Sequence, residues 1–368
     1  MKIYSFCGVC SILLFAFILS CTSGGKSSDE ILNVLDEWRI WLEASSPPEQ
    51  HIEFPFYIPA DTVLAPDSCG LEYYMIECFV VDEDNIYLSD GCSQNLLAFT
   101  KEGDLLWKVG GEGEGPGLFT GIGEIAIKGD TIAVCNHGVG RVDFFSSTSG
   151  DWLSSISVLW PYDLCFLPNE NLVVLSLLEH NMINIVSPEG EVISRFGNWQ
   201  APGQDILNSM FCTANRNLRL TLINDSILAV NAYYFNWGQT YNLNSSKLLA
   251  SFRRDLPYEE KPIEIDNGAV FGKIYTNDIA SYQEYIAVLN RPIESNWDLP
   301  ERYDDIPYRE ITFSMIDMYQ IPGKYVGSIA VPGTVSRILW YENDLYGATD
   351  ETGELIRYIL LDEILHQP

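Results

Sequence analysis

Apolar and polar residues alternate in short runs along most of this chain, and the runs come in pairs separated by a tight turn rich in Asp, Asn, Glu or Gly. Six pairs share one phrase: CFVVDEDNIYLSD (78–90), EIAIKGDTIAVCN (124–136), CFLPNENLVVLS (165–176), RLTLINDSILAVN (219–231), ASYQEYIAVLN (280–290) and RILWYENDLYGAT (337–349). A pair of short apolar runs joined by a tight turn predicts a β-hairpin. Two more strand-like runs follow in each of the first three copies. LLAFT and LLWKVG flank Lys101-Glu102-Gly103-Asp104, VDFFSS and WLSSISV flank Thr148-Ser149-Gly150-Asp151, and INIVS and VISRFG flank Pro188-Glu189-Gly190-Glu191. The Gly in each of these turns supplies the positive φ that such a connection needs.

Anchoring each copy at the first apolar residue after its turn gives Ile86, Ile132, Leu172, Ile227, Ile286 and Leu345. The first anchors stand close to the ~40–45 residues of a minimal four-stranded blade, and the later ones are spread by insertions. Six hairpin-led repeats made of strands alone predict an all-β fold, a six-bladed β-propeller. The sixth repeat shows no fourth strand after residues 355–361, and residues 52–58 offer one. The expectation is closure by an N-terminal strand, which removes exposed edges, and one propeller domain over residues 51–368.

Residues 1–20 read as a signal peptide: Lys2 gives a positive start, residues 6–19 are apolar, and Ser20 precedes Cys21. The apolar run is shorter than the roughly 20 residues that a spanning helix takes. Ile18-Leu19-Ser20-Cys21 resembles a bacterial lipobox, which implies cleavage before Cys21, lipidation of that residue and a place in the bacterial cell envelope, periplasmic or outer-membrane facing. Residues 22–28 are small and polar, as in a flexible tether. Over 27–44 a helix is predicted, with Ser27 and Glu30 at capping-box spacing and Ile31, Leu32, Leu35, Trp38, Trp41 and Leu42 along one face. Residues 21–50 are therefore read as a lipid-anchored tether with a short helix.

Charge narrows the partners. The chain has 51 Asp and Glu against 21 Lys and Arg, a formal net charge of −30. Such a surface opposes a polyanion, so nucleic acid is excluded, while cations, cationic peptides and neutral glycans stay admissible. Of nine Cys, Cys7 and Cys10 leave with the signal and Cys21 takes the lipid. No C-x-x-C stands outside the signal, so neither a zinc knuckle nor a thioredoxin-like motif is written here. Cys78, Cys135 and Cys165 fall in predicted strands and read as small buried hydrophobes. Cys69 and Cys92 flank the first hairpin and form a candidate disulfide.

The repeated phrase, Gly140-Arg141-Val142-Asp143-Phe144-Phe145 at a third strand, and the glycine-rich residues 110–119 together resemble the NHL-type and TolB-like six-bladed propellers of bacterial cell envelopes. That resemblance implies the fold and an exported lipoprotein, and no particular activity. The glycine-rich run is no phosphate cradle, because it lacks a Gly-Lys-Ser/Thr ending and carries Glu112 and Glu114. A second version at 196–203 argues for a structural crossing between blades.

In a propeller the second strands end on the face where the innermost strands begin. Here the second strands end at Asp90, Asn136, Ser176, Asn231, Asn290 and Thr349, and the innermost ones begin near Glu77, Glu124, Asp163, Asp278 and Arg337. A mouth of carboxylates and amides suits Ca²⁺ or another divalent cation, although turns also demand polar residues. Resemblance to gluconolactonase-like propellers would assign Glu77, Asn231 and Asp278 to such a metal, giving a lactonase-like hydrolase. A zinc lyase has only His137 and His180 to draw on in these loops, fewer than zinc sites usually use, and no G-x-S-x-G is present. Tyr233, Tyr234 and Trp237 follow the fourth second strand, and Trp297 and Tyr303 lie in a long insertion. Aromatics on such loops suit a protein surface or a sugar ring. The expectation is a cell-envelope lipoprotein acting as a binding or scaffolding module for an envelope protein or glycan, without a catalytic set or a cofactor beyond a divalent cation. The alternative is a metal-dependent hydrolase or lyase in the channel.

Overall fold

Each of the six phrases folds as the inner hairpin of a sheet, because its second run is buried along consecutive residues and so on both faces, which only two flanking sheets can cover. The computed structural model describes residues 52, 54, 57–66, 75–176, 181–197, 218–232, 238–253, 264–266, 269–271, 276–290, 313–349 and 352–360. The signal peptide, Cys21, the tether and its helix, Cys69, Cys212, Tyr233, Tyr234, Trp237, Trp297 and Tyr303 lie outside the described residues.

A first strand, β1 (Tyr57–Leu64), precedes the repeats. Blade one holds β2 (Ile76–Val81), β3 (Asn85–Asp90), β4 (Asn95–Thr100) and β5 (Leu105–Gly110), and blade two holds β6 (Ile122–Lys128), β7 (Thr131–Asn136), β8 (Arg141–Ser146) and β9 (Trp152–Ser157). Blade three comprises β10 (Pro161–Phe166), β11 (Leu172–Ser176), β12 (Ile183–Val186) and β13 (Val192–Phe196), and blade four β14 (Leu218–Asn224), β15 (Ile227–Ala232), β16 (Gly238–Asn242) and β17 (Lys247–Phe252). A hairpin, β18 (Glu264–Asp266) with β19 (Ala269–Phe271), precedes blade five, which is β20 (Thr276–Tyr282), β21 (Tyr285–Asn290), β22 (Phe313–Gln320) and β23 (Lys324–Pro332). Blade six contains β24 (Arg337–Tyr341), β25 (Asp344–Ala348) and β26 (Leu355–Leu360). No helix occurs among the described residues, so none there is long and apolar enough to cross a membrane.

The sixth sheet runs β1-β26-β25-β24, with Tyr57 opposite Leu360 and Leu64 opposite Leu355. The sequence pattern set this strand at 52–58, and the pairing lies further along. Bulges stand at Pro59/Asp61 and Thr62/Leu64, and Tyr57 and Leu64, both essentially fully buried, lie on opposite faces of the sheet, Tyr57 in the cluster shared with blade five and Leu64 in the one shared with blade one. Pro59, which has no N–H to give, is tolerated because β1 is an edge strand. Ile52 and Phe54 lie instead against blade five, with the Ile52 N–H donating to Val326 O at 2.9 Å.

The innermost strands β2, β6, β10, β14, β20 and β24 touch in that cyclic order, β24 meeting β2. Apolar clusters fill the interfaces between neighbouring blades. Phe119, Ile132 and Phe145 join blades one and two, and Leu64, Leu88, Tyr346 and Leu355 join blades six and one. Each fully buried side chain of this size contributes about 1.5–3 kcal/mol, so the fold rests on these interfaces. The turn between third and fourth strands also leans on the preceding blade. A Cβ on Gly103 (φ +92°) would lie 2.7 Å from Val63 O in β1, and one on Gly150 (φ +73°) 2.8 Å from the Trp107 ring in β5. Those glycines thus serve both a left-handed turn and a close approach.

One feature recurs on the outside. In blades one to five the outermost strand carries one extra residue opposite the same point of the third strand: Leu106, Leu153, Ile193, Leu249 and Val326. A bulge there twists an edge away from further pairing.

Candidate functional site

Each innermost strand places one charged side chain near its start: Glu77, Glu124, Asp163, Arg219, Asp278 and Arg337, one from each blade. In blades one, three and five a bulge at Glu77, Tyr162 and Asn277 shifts the strand against its neighbour at this level. Blade four lacks that bulge, and Arg219 stands opposite Asn231.

Four acids and two arginines share a nearly dry layer, and their positions show what they do. Arg219 Nη1 lies 2.7 Å from Glu124 Oε1, and the same oxygen stands 3.9 Å from Arg337 Nη2. Arg337 Nε donates to Glu77 O at 2.7 Å, and its Nη2 lies 4.0 Å from Glu77 Oε2. Asp163 accepts from the N–H of Leu164 in its own strand and of Leu220 in blade four, both at 2.7 Å. Asp278 accepts from the Ile338 N–H of blade six at 2.8 Å. The layer therefore ties innermost strands to one another, and its carboxylates spend their lone pairs on N–H groups that the channel-facing edges leave unpaired.

Burial raises Asp278 to about 6, against the pull of Arg337 and Arg219. Burial, with Glu124 beside it, pushes Asp163 well above the carboxylate range, although Arg219 and the two N–H groups oppose this. Burial works against the charge of Arg219, yet Glu124, Asp163 and Asp278 hold it protonated. The thiol of Cys78 is pushed up by burial and by Glu124, and those of Cys135 and Cys165 by burial and Asp163. All three are unpaired thiols, inert in this state because the thiolate is the reactive form.

A cavity of about 330 Å³ extends from this layer toward the turns between first and second strands. Its wall passes from Glu124, Asp163, Asp278 and Arg337 to Val81, Ile127, Phe166 and Trp340. The Trp340 indole N–H donates to Tyr57 Oη at 3.1 Å, linking the wall to β1.

The polar ends of the second strands fasten loops. Asp90 accepts from Met75 N–H and Cys92 N–H and from the Ser93 hydroxyl. The Asn136 amide donates to Leu118 O and Asp143 Oδ2, and Ser176 donates to Leu159 O. The Asn231 amide donates to Thr276 Oγ1 at 2.6 Å. Of the residues considered for a cation, then, Glu77 and Asp278 flank the arginines while Asn231 points its amide at blade five. Among the described residues no three His, Cys, Asp or Glu side chains form a metal-holding group. His137 stacks on Tyr162 at 4.9 Å, and burial lowers its pKa, leaving it neutral.

The glycine-rich residues 110–117 form a crossing between blades. Arg141 donates to Glu114 O, Gly115 O and Leu118 O while pairing with Asp143 at 2.8 Å, so a guanidinium fills the loop that superficially suggests a phosphate cradle. Arg219 is the member of the axial layer that the pattern of strand starts does not include. Its signal is in the chain nonetheless, since Arg219 opens the fourth phrase as Arg337 opens the sixth.

Six four-stranded antiparallel sheets around one channel define a six-bladed β-propeller. Residues 49–248 match the DUF5128 family, described as a 6-bladed beta-propeller, and the chain belongs to that family. Among solved structures, a Bacteroides fragilis protein predicted to be exported superposes with a TM-score of 0.53 at 11% identity, covering 84% of this chain and 97% of that one. The WD40 repeats of RRP9 superpose with a TM-score of 0.52 at 11% identity, covering 84% and 100%. Likeness at that identity concerns the fold, which hosts many functions. No curated protein matches the sequence.

Proposed function

We propose that this propeller is a binding module of the bacterial cell envelope, anchored through lipidated Cys21, that presents the loops after its second strands to an envelope protein or glycan. The observation that carries this reading is the use of the axial charges. Asp163 and Asp278 cap backbone N–H groups, and Glu124 is held by Arg219, so the residues a channel enzyme would draw on are already bonded within the protein. Residues 233–237 join β15 to β16 and residues 291–312 join β21 to β22, so each connection follows the end of a second strand. Tyr233, Tyr234, Trp237, Trp297 and Tyr303 belong to these connections. The signal and lipobox pattern supports the envelope location, and the likeness to a protein predicted to be exported agrees with it.

The test is glycan-array and envelope-extract capture by the mature protein. Trp237→Ala or Trp297→Ala should weaken capture about tenfold or more, the scale of a buried aromatic anchor, at unchanged melting temperature. Glu77→Gln with Asp278→Asn should leave capture intact. If the carboxamide pair abolishes a Ca²⁺-dependent lactone turnover while the Trp variants behave as wild type, the lactonase-like hydrolase replaces this reading. Cys21→Ser should move the protein to the soluble fraction, and an unchanged detergent partition would remove the anchor.

A further inference from the structure

We infer that the exposed bulges on the outermost strands of blades one to four are docking positions for an extended polypeptide segment with apolar residues at alternate positions, supplied by a partner protein. The fifth blade shows such a position filled. There the extra residue is Val326, which is fully buried in one cluster with Phe54, while Ile52 packs on the same cluster. The Ile52 N–H donates to Val326 O at 2.9 Å, and Phe54 stands edge-on to Tyr285 at 5.4 Å. A Cβ on the next residue, Gly327, would lie 2.7 Å from Ile52 O. The chain's own Ile52 and Phe54 thus cover the bulge with one backbone hydrogen bond and two apolar side chains.

The equivalent residues of the preceding blades are apolar and exposed. Leu106 is 50% exposed, Leu153 50%, Ile193 56% and Leu249 42%. Each follows another exposed apolar residue: Leu105, Trp152, Val192 and Leu248 respectively. These exposed apolar pairs recur at the start of the fourth strand on four consecutive blades. The bulge that blocks long edge pairing still leaves carbonyls on the open side, so a short segment can add to the edge as Ile52 does. The partner segment is cationic at its flanks, because the chain's net charge of −30 favours a basic sequence over an acidic one.

The probe is a synthetic peptide of residues 49–57 with lysines added at both ends, titrated onto the full mature protein and mapped by photo-crosslinking. Saturable binding with crosslinks on β5, β9, β13 and β17 is expected. The combined variant Leu106→Asp, Leu153→Asp, Ile193→Asp, Leu249→Asp should weaken it by roughly tenfold or more, and a peptide with Ser at the Ile52 and Phe54 positions should not bind. If the combined variant does not fold, the four single variants are used, each losing crosslinks on its own blade. Absence of saturable binding, unchanged binding by the variants, or crosslinks confined to β23 would overturn the proposal. So would self-association that the Asp variants abolish, which would assign the rim to a second copy. Capture by anionic vesicles that the variants abolish would assign it to a lipid surface.

Discussion

Arg219 Nη1 lies 2.7 Å from Glu124 Oε1, so a guanidinium of the fourth blade reaches past the third to a carboxylate of the second. Both side chains are buried, so the pair has lost its water and each charge depends on the other. Removing one partner strands the other, which costs about 3–5 kcal/mol. Arg219→Met and Glu124→Gln should each lower the unfolding free energy by that order in chemical denaturation. The double variant should cost clearly less than the two combined, and strict additivity would show that the pair is not coupled.

Asp278 gives a pH dependence with a defined sign. Its folded-state pKa is about 6 against an ordinary 3.8, raised by burial. Between those values the native protein keeps a proton that the unfolded chain has released, so this group's contribution is full below about pH 4 and is lost as pH rises through 6. A shift of about two units corresponds to about 3 kcal/mol. Asp163, shifted in the same direction, adds to the trend. Asp278→Asn keeps an oxygen for the Ile338 N–H but removes the titration, so its unfolding midpoint should fall less between pH 4 and pH 6 than that of wild type. An equal or steeper fall in the variant would refute the assignment.

Leu64 tests how much the sixth blade leans on β1. It is fully buried between blades six and one, in one cluster with Ile76, Leu88 and Leu355. Leu64→Ala should cost about 2–5 kcal/mol, as core truncations of this type do, measured by denaturant midpoint. A loss under about 0.5 kcal/mol, typical of surface changes, would mean that β1 is dispensable.

The candidate disulfide between Cys69 and Cys92 is checked by peptide mapping without reduction. Cys92 is exposed, and its N–H donates to Asp90 Oδ1 at 3.0 Å. A linked peptide is expected in envelope-derived protein, and its reduction should lower stability by about 2–4 kcal/mol. Full alkylation of both thiols before reduction would eliminate the bridge.

The inner hairpins were legible because paired apolar runs and a tight turn are local signals. Ile86 and Ile132 are both fully buried, and the strands around them start within a few residues of the places the pattern indicates. The thiols of Cys78, Cys135 and Cys165 are likewise unpaired and at least partly buried. Arg219 escaped notice because it stands opposite Asn231, the last residue of its phrase, whereas Asp163, Asp278 and Arg337 stand opposite the residue before the last of theirs, so its charge is one place out of line. The outer bulges were harder to see, for an edge strand is under little constraint. Their trace is a doublet of apolar residues, such as Leu105-Leu106 or Val192-Ile193, where strict alternation would allow only one toward a given face. The contact of Ile52 with Val326 had no local signal, since it joins residues far apart in the chain.

The pairing of β1 with β26 also sets an order in time. A chain that is made N-terminus first delivers β1 long before Leu355–Leu360 exists. Until then β1 has no strand to pair with, and Leu64 has no covering from Leu355 or Tyr346. A product cut short before β26 would keep both an orphan strand and an open apolar face, the features that proteases and aggregation act upon. The pairing therefore serves as a check on synthesis: only a chain made through β26 can pair β1 and bury Leu64 fully.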